Sequence, residues 1–580
     1  MKKTGIAFSI LWLVFSGSAL ADAGDDFNAL LDEHWQWTLE NSPLMASMMG
    51  DRRSNREWGD SSLAAIEERH KETREFLRRT YAIDRNALSE DDQLNYELFR
   101  RQLQDEVDEH QFKGHLMPFS QRGGVQSIDN LTNQLRLVTV EDYDDWLARL
   151  GKLDEVIEQT IALAEAGRKS GMTAPRILMQ RIPDQIAVQV VEFAADSPFF
   201  KPFASLPETF APADRERLRA DATEVIEETV LPAYRKLDRY FNETYLPAAR
   251  ESIGLSELPN GPAWYEYRAR SYTTTRLTPD EIHRIGLDEV KRIRGEMMDI
   301  IEEVEFEGSF QDFLEHLRTD SQFYFDNPDD LYREYLATSK RIDPELVKLF
   351  GKLPRMPYGV KPIPDAIAPD TTTAYYSRPA GDGSRAGIYY VNLYKPEVRP
   401  KYEIEVLSVH EAMPGHHLQI ALQQELGDVP MFRRFMGFTA FVEGWGLYSE
   451  RLGYDLGLYK DPYSRFGQLT YDMWRAVRLV VETGMHYKGW TRQQAIDFFK
   501  DNAAKTEHDI VNEIDRYILW PGQALAYKIG QLKILQLRER AETELGDNFD
   551  IRAFHDELLG AGALPLDLLE QRMDRWMAAQ

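Results

Sequence analysis

Apolar residues recur three and four positions apart through most of this chain, and that period constrains the fold more than any other feature. Stretches such as Thr139–Ala166 and Ala211–Asn242 carry it among many charges, which predicts amphipathic helices that each bury one stripe. Thr278-Pro279-Asp280-Glu281 reads as a helix start, with a capping threonine, a proline in the first turn and an acid three residues on. Alternating β-type pattern is concentrated in Thr371–Tyr394, where aromatic and β-branched residues flank Gly381-Asp382-Gly383 and predict a hairpin. The expected fold is therefore mostly α, a large helical body with one small sheet. No repeat or flexible linker interrupts it, and the proline-rich stretch 353–369 is the expected seam if residues 22–580 form two lobes.

The chain of 580 residues is 43% hydrophobic, enough to build a sizeable core. Its 69 basic and 96 acidic side chains give a formal charge of −27. That balance argues against non-specific nucleic-acid binding and against docking on anionic lipid, both of which need clustered Lys and Arg. It contains no cysteine. Disulfides, thiolate catalysis, iron–sulfur clusters and a lipid-bearing cysteine are thereby excluded, so a metal site would have to use His and carboxylate. At the N-terminus, Lys2 and Lys3 precede an apolar run from Ile6 to Phe15 and the small-residue site Ala19-Leu20-Ala21. This reads as a secretory signal over residues 1–21, because a bilayer span needs about 20 apolar residues. The expected location is outside the cytoplasm, periplasmic in a Gram-negative cell, without stable membrane association.

Three of the twelve histidines fall in Val409-His410-Glu411-Ala412-Met413-Pro414-Gly415-His416-His417. Apolar spacing from Glu403 to Val409 places His410 and Glu411 on a buried helix. In a His-Glu-x-x-His helix the two histidines lie one turn apart and hold zinc, while the glutamate acts as general base. Here the second histidine is displaced. On an ideal helix His416 would face about 240° away from His410, and His417 would be in phase but about 10.5 Å along the axis. Pro414 cannot donate to the carbonyl of His410, so the helix must distort. A two-residue bulge at Pro414-Gly415 would return His416 to the ligand position, with His417 as the alternative ligand. The third ligand is expected from Phe441-Val442-Glu443-Gly444-Trp445-Gly446-Leu447-Tyr448-Ser449-Glu450. Glu443 there is a carboxylate in apolar, aromatic surroundings, costly to bury unless paired or metal-bound. Glu450, two turns on, is either its support or a surface acid. Two His and one Glu leave a coordination position open, as catalytic zinc sites do, and Glu411 would take a proton from water.

These residues resemble the bacterial family called domain of unknown function 885. The resemblance extends to Arg475-Ala476-Val477-Arg478, Glu482-Thr483-Gly484-Met485-His486, Pro521-Gly522-Gln523-Ala524-Leu525-Ala526-Tyr527-Lys528, Phe554-His555-Asp556 and Gly562-Ala563-Leu564-Pro565. It implies a helical zincin-like fold with a substrate channel, similar to the thimet oligopeptidase and carboxypeptidase Taq groups, one zinc ion and a glutamate as third ligand. By position, Tyr527 is similar to the late tyrosine that stabilises the oxyanion in those groups. His486 is a second candidate for that role or for orienting a ligand, and Arg478 is a candidate grip for a substrate carboxylate. Tyr375, Tyr376 and Asn392 lie on the predicted hairpin, where substrate alignment competes with ordinary sheet packing. The leading expectation is an exported zinc peptidase acting on short peptides. The alternatives are a non-catalytic peptide- or metal-binding protein, and an amidase acting on a cell-wall or small-molecule amide.

Overall fold

The computed structural model of the protein describes residues 15–133, 135, 137–365, 368, 372–380, 383 and 385–580. Of the expected leader, residues 1–14 lie outside these, and the backbone from Phe15 opens helix α1 (Phe15–Asn41). Among the described residues no helix is long and apolar enough to cross a membrane. The fold is mostly α with one three-stranded sheet. The described residues divide into two compact units, one of those up to 251 with 430–432, the other of those in 252–429 with 433–580. The division thus lies upstream of the expected seam at 353–369. That proline-rich stretch instead delivers strand β1 (Tyr358–Pro362) to the sheet of the second unit.

In the first unit the helices α2 (Leu63–Ala82), α3 (Glu90–His110), α4 (Val140–Leu150) and α5 (Leu153–Ser170) follow the predicted periods. Thr139 caps α4 reciprocally with Asp142. The stretch from Ala211 is helical as its period predicts, α6 (Pro212–Val225) passing through a wide π turn at Ile226–Val230 into α7 (Leu231–Tyr240), which a second π turn at Phe241–Tyr245 follows. Each wide turn immediately precedes a Leu-Pro pair, at Pro232 and Pro247, where proline withholds its donor and crowds the preceding turn. The buried face carries Leu218, Ile226, Tyr234, Leu237, Phe241 and Tyr245, all fully enclosed.

The second unit is built on α8 (Gly261–Thr273), α9 (Pro279–Glu303), α10 (Ile404–Glu411), α11 (His416–Gln424), α12 (Thr439–Asp455), α13 (Pro462–His486), α14 (Glu507–Leu519) and α15 (Ala526–Leu545). Thr278 and Glu281 form the expected capping box at the start of α9. The sheet has the order β1, β3 (Gly387–Val391), β2 (Ala374–Ser377). β2 and β3 pair antiparallel as the predicted hairpin, with Tyr375 opposite Tyr390 and their rings stacked at 4.9 Å. β1 adds a parallel third strand. β3, central and almost wholly buried, reads Gly-Ile-Tyr-Tyr-Val, the run expected when both faces are covered. β2 lies against α10.

Helix α12 crosses α15 at Gly444 and Gly530. A Cβ on Gly444 would lie 2.6 Å from the Gly530 Cα, and one on Gly530 would lie 1.9 Å from the Ala440 carbonyl oxygen, so this crossing requires glycine on both sides. Helix α13 is buried over almost its whole length, and from Asp472 onward its ionisable residues lie on one stripe. The stripe is Asp472, Arg475, Arg478, Glu482 and His486, spaced three, three, four and four residues apart, a single helical face. Its first member belongs to a closed ion cluster. Lys528 Nζ lies 2.7 Å from Asp472 Oδ1 and 2.8 Å from Glu289 Oε2, and Arg292 Nη2 bridges Asp472 Oδ2 at 3.0 Å and Glu289 Oε2 at 2.7 Å. Burial opposes ionisation of Asp472, but Lys528 and Arg292 outweigh it and pull its carboxyl down to about 2.

Candidate metal centre

Helices α10 and α11 are one predicted helix broken in two. Ala412 (φ −104°, ψ −105°) and Gly415 (φ −71°, ψ −127°) both leave the helical region. Ala412–Gly415 therefore forms a four-residue turn, with a cis Met413–Pro414 peptide, where a two-residue bulge in a continuous helix was expected. The turn is closed by Gly415 N–H donating to Val409 O at 2.9 Å and His417 N–H donating to Ala412 O at 3.1 Å. Trp445 of α12 donates its indole N–H to Pro414 O at 2.8 Å. Any Cβ on Gly415 would fall 1.9 Å from the His410 carbonyl oxygen, so the turn needs glycine there.

This break brings His410 and His416 together, with ring centroids 4.7 Å apart and planes at 86°. Glu443 of α12 completes the group. One ligand atom from each of the three lies within 4.8 Å of the others, the only such group of three among the described residues. Glu443 Oε2 is 3.8 Å from His410 Nε2 and 3.5 Å from His416 Nε2. These separations exceed a hydrogen bond of about 2.7–3.2 Å. They approach the roughly 3.3 Å between two ligands of a tetrahedral zinc with bonds of about 2.0–2.1 Å.

The surroundings fit the same group. Nδ1–H of His410 donates to Glu450 Oε1 at 2.8 Å, which turns Nε2 to the Glu443 side, where a metal would bind in exchange for a proton. A carboxylate behind a histidine in this way fixes the tautomer and raises the ligand's basicity. Glu450 is fully buried and is met by Arg475 Nη2 at 3.4 Å. Formally Glu443, Glu450 and Glu411 face one guanidinium, a surplus of negative charge. Burial alone would lower the pKa of His410, yet Glu443 and Glu450 outweigh it and raise it to about 9. Burial opposes the charge on Glu443 too, and the two histidines hold its carboxyl well below the usual range. Glu411 ends α10 half-buried and near enough to act on His410, and no hydrogen bond to a described residue occupies its carboxylate.

The other candidates divide. His417, the alternative ligand, has both ring nitrogens in use: Tyr376 donates its hydroxyl to Nδ1 at 2.8 Å, and Nε2–H donates to Met356 O at 3.0 Å. Burial lowers its pKa to about 4, so it is a neutral link between α11 and the sheet. Tyr376 is thereby a packing residue. Asn392 is buried and donates to the carbonyls of Ala368 and Thr372, a loop-bracing role. His486 does not supply a donor to the site, because its Nδ1 accepts from Leu255 N–H at 3.0 Å and its Nε2–H donates to Tyr517 O at 2.9 Å in the core. Tyr527 is half-buried. Burial, and then the charge of Glu443, raise its pKa, which keeps the phenol protonated. Arg478 stacks on the Tyr527 ring at 4.3 Å. Sequence reasoning passed over Arg475, Glu513 and Arg516. For Arg475 the available signal was the helical spacing of charges along α13, and for Glu513 and Arg516 only their three-residue separation on α14.

A family model described as bacterial protein of unknown function (DUF885) matches residues 43–573. The chain belongs to the DUF885 family. Two solved structures resemble this DUF885 chain. A "putative lipoprotein" from Colwellia psychrerythraea is 28% identical, covers 96% of this chain and all of its own, and superposes with a TM-score of 0.88. A "putative lipoprotein of unknown function" from Shewanella oneidensis is 18% identical, covers 94% of this chain and 98% of its own, and shares the fold with a TM-score of 0.73. No functionally curated protein matches the DUF885 chain.

Proposed function

We propose that this chain is a zinc-dependent hydrolase of amide bonds in short peptides, with His410, His416 and Glu443 holding the ion and Glu411 as general base. The observation that carries the reading is the convergence of two imidazole nitrogens and a carboxylate oxygen at coordination spacing, with Glu450 bound behind His410. A bound divalent ion supplies Lewis acidity toward a carbonyl and a water molecule. The rest is the work of side chains. Glu411, one residue from His410 and with its carboxylate free of hydrogen bonds, accepts the proton of the attacking water and returns it to the leaving amine. Tyr527, kept protonated, donates its phenolic hydrogen to the oxygen that gains charge. Glu450 holds His410 in one tautomer through both steps.

Export is part of the same reading. It is supported by the Lys2-Lys3 and apolar N-terminal pattern and by the description of the two structural neighbours as "putative lipoprotein". This sequence has no cysteine, so it cannot carry the cysteine-borne lipid that the neighbours' description implies.

The test is elemental analysis and peptide turnover of the purified chain and of Glu411→Gln. Near-stoichiometric zinc in both, with turnover reduced roughly 10²–10⁴-fold in the variant, is expected. A wild-type chain that takes up no zinc when resupplied, or a fully active Glu411→Gln, overturns the proposal. Mass spectrometry of incubated peptide and muropeptide mixtures separates peptidase from cell-wall amidase.

A further inference from the structure

One turn along α13 from Arg475 stands a second buried guanidinium whose hydrogen bonding is incomplete. Arg478 Nε donates to Tyr517 Oη at 2.8 Å and Nη2 donates to Glu513 Oε2 at 3.1 Å. Nη1 is buried and has no hydrogen-bond partner. The guanidinium is sandwiched by aromatic rings, 4.8 Å from the Trp474 centroid and 4.3 Å from that of Tyr527. Arg516 of α14 lies beside it, forked onto Glu513 at 3.1 and 2.8 Å and donating to Gln523 Oε1 at 2.7 Å. Two guanidiniums thus share the single carboxylate of Glu513. The group carries one surplus positive charge and, at Nη1, two unmade N–H donors, a combination that is costly in a desolvated site without an anionic partner.

Tyr527 joins this group to the metal centre. Its ring covers Arg478, its hydroxyl accepts from Gln523 Nε2 at 3.5 Å, and it lies within electrostatic reach of Glu443. Tyr527 and Gln523 are half-buried, and the Glu443 side chain is 20% exposed, so the region opens to solvent. Negative surplus at the His–Glu cluster and positive surplus one tyrosine away form a polarised site.

We propose that Arg478, with Arg516 and Tyr527, receives the carboxylate of a peptide substrate, and that this carboxylate is the free C-terminus. The chain would then be a hydrolase of C-terminal bonds and would spare internal ones. The proposal rests on the hydrolase reading above. A planar guanidinium with a free N–H matches a carboxylate better than a point charge does.

The experiment uses the full chain loaded with zinc and one peptide sequence in three forms: free acid, C-terminal amide, and amide with aspartate as the last residue. Binding is measured by calorimetry on Glu411→Gln, and turnover by mass spectrometry on the wild type. The free acid should bind about 10- to 100-fold more tightly than the plain amide, the range of a charge-assisted hydrogen bond. In Glu411→Gln/Arg478→Gln that ratio should fall to near one with zinc content unchanged. Should the second substitution unfold the chain, the acid-to-amide ratio of the Arg478-containing protein still decides. Equal binding and cleavage of acid and amide overturns the inference and leaves the hydrolase intact. Binding of the aspartyl amide as tight as the free acid moves the recognition to side-chain carboxylates and overturns the C-terminal assignment. Neither binding nor cleavage of any form overturns both proposals.

Discussion

Two buried polar groups in the second unit are assembled from the same kinds of helix, and they end in opposite states. At Asp472, Lys528, Glu289 and Arg292, two acids meet two bases at 2.7–3.0 Å and every contact is a direct ion pair. At His410, His416 and Glu443 the nearest approaches are 3.5 and 3.8 Å, and His416 Nδ1, although buried, has no hydrogen-bond partner. In the first group every charge is directly paired, Arg292 reaching Glu296 on its own helix as well, and it holds helices together. The second is charge-imbalanced and pre-formed, its geometry fixed from outside by Glu450, Trp445 and the turn at Gly415. The difference teaches that a buried charge cluster is read by its completeness. A satisfied one locks a fold, and one held open from outside is a candidate site.

Breaking the closed group should cost the most. Lys528→Met leaves Asp472 and Glu289 with Arg292 alone, a guanidinium that Glu296 also shares, and chemical denaturation should show a loss of about 3–5 kcal/mol. The rise in Tm on adding zinc should survive in that variant, because the ion group is separate from it. A vanished zinc effect would show the two groups to be one. Weakening the open group from behind comes next. Glu450→Gln removes the charge that backs His410, and competition with a chromophoric chelator should show zinc affinity reduced about 10- to 100-fold. An unchanged affinity would sever Glu450 from the metal centre.

The smallest effect concerns pH. Asp472 is pulled down to about 2, so its share of stability is present above the unfolded value near 4 and is lost as pH falls through that window. Glu482, on the same helix, is pushed up to about 7 by burial, against the opposing bonds from Gly522 N–H and the Tyr265 hydroxyl. Its share is present below the unfolded value near 4.3 and is lost as pH rises toward 7. Glu482→Gln should flatten that decline, a gain of a few degrees in Tm at pH 8 with little change at pH 4. Equal slopes in Tm against pH for variant and parent would contradict the assignment.

Much of this molecule is legible in its amino-acid order. The helical period, the capping box at Thr278 and the hairpin of β2 and β3 follow from short-range spacing that backbone geometry translates directly, whereas His410, His416 and Glu443 stand out by their chemistry, scarce histidines around a proline and a carboxylate in apolar surroundings. What is not legible depends on partners distant in sequence. The turn at Ala412–Gly415 is set partly by Trp445, thirty-one residues on from the carbonyl that it holds. His417 and His486 look like site residues in a motif, and only their bonds to Met356, Tyr376, Leu255 and Tyr517 make them scaffold. The third strand lies hidden in a proline-rich stretch whose pattern is that of a connection. The division near residue 251 leaves no mark in composition.

The polar stripe of α13 carries a consequence for how such a chain can change. Its members serve the closed ion group, Glu450, the Arg478 group, the Gly522 turn and the core in succession. Deleting or inserting one residue within it would turn everything beyond by about 100° and unhook several of these at once. Helix α13 therefore behaves as a camshaft, and its length is frozen while its side chains remain free to vary. New specificities in chains of this build should arise by exchange of residues along that face, and by insertion only in the loops around it.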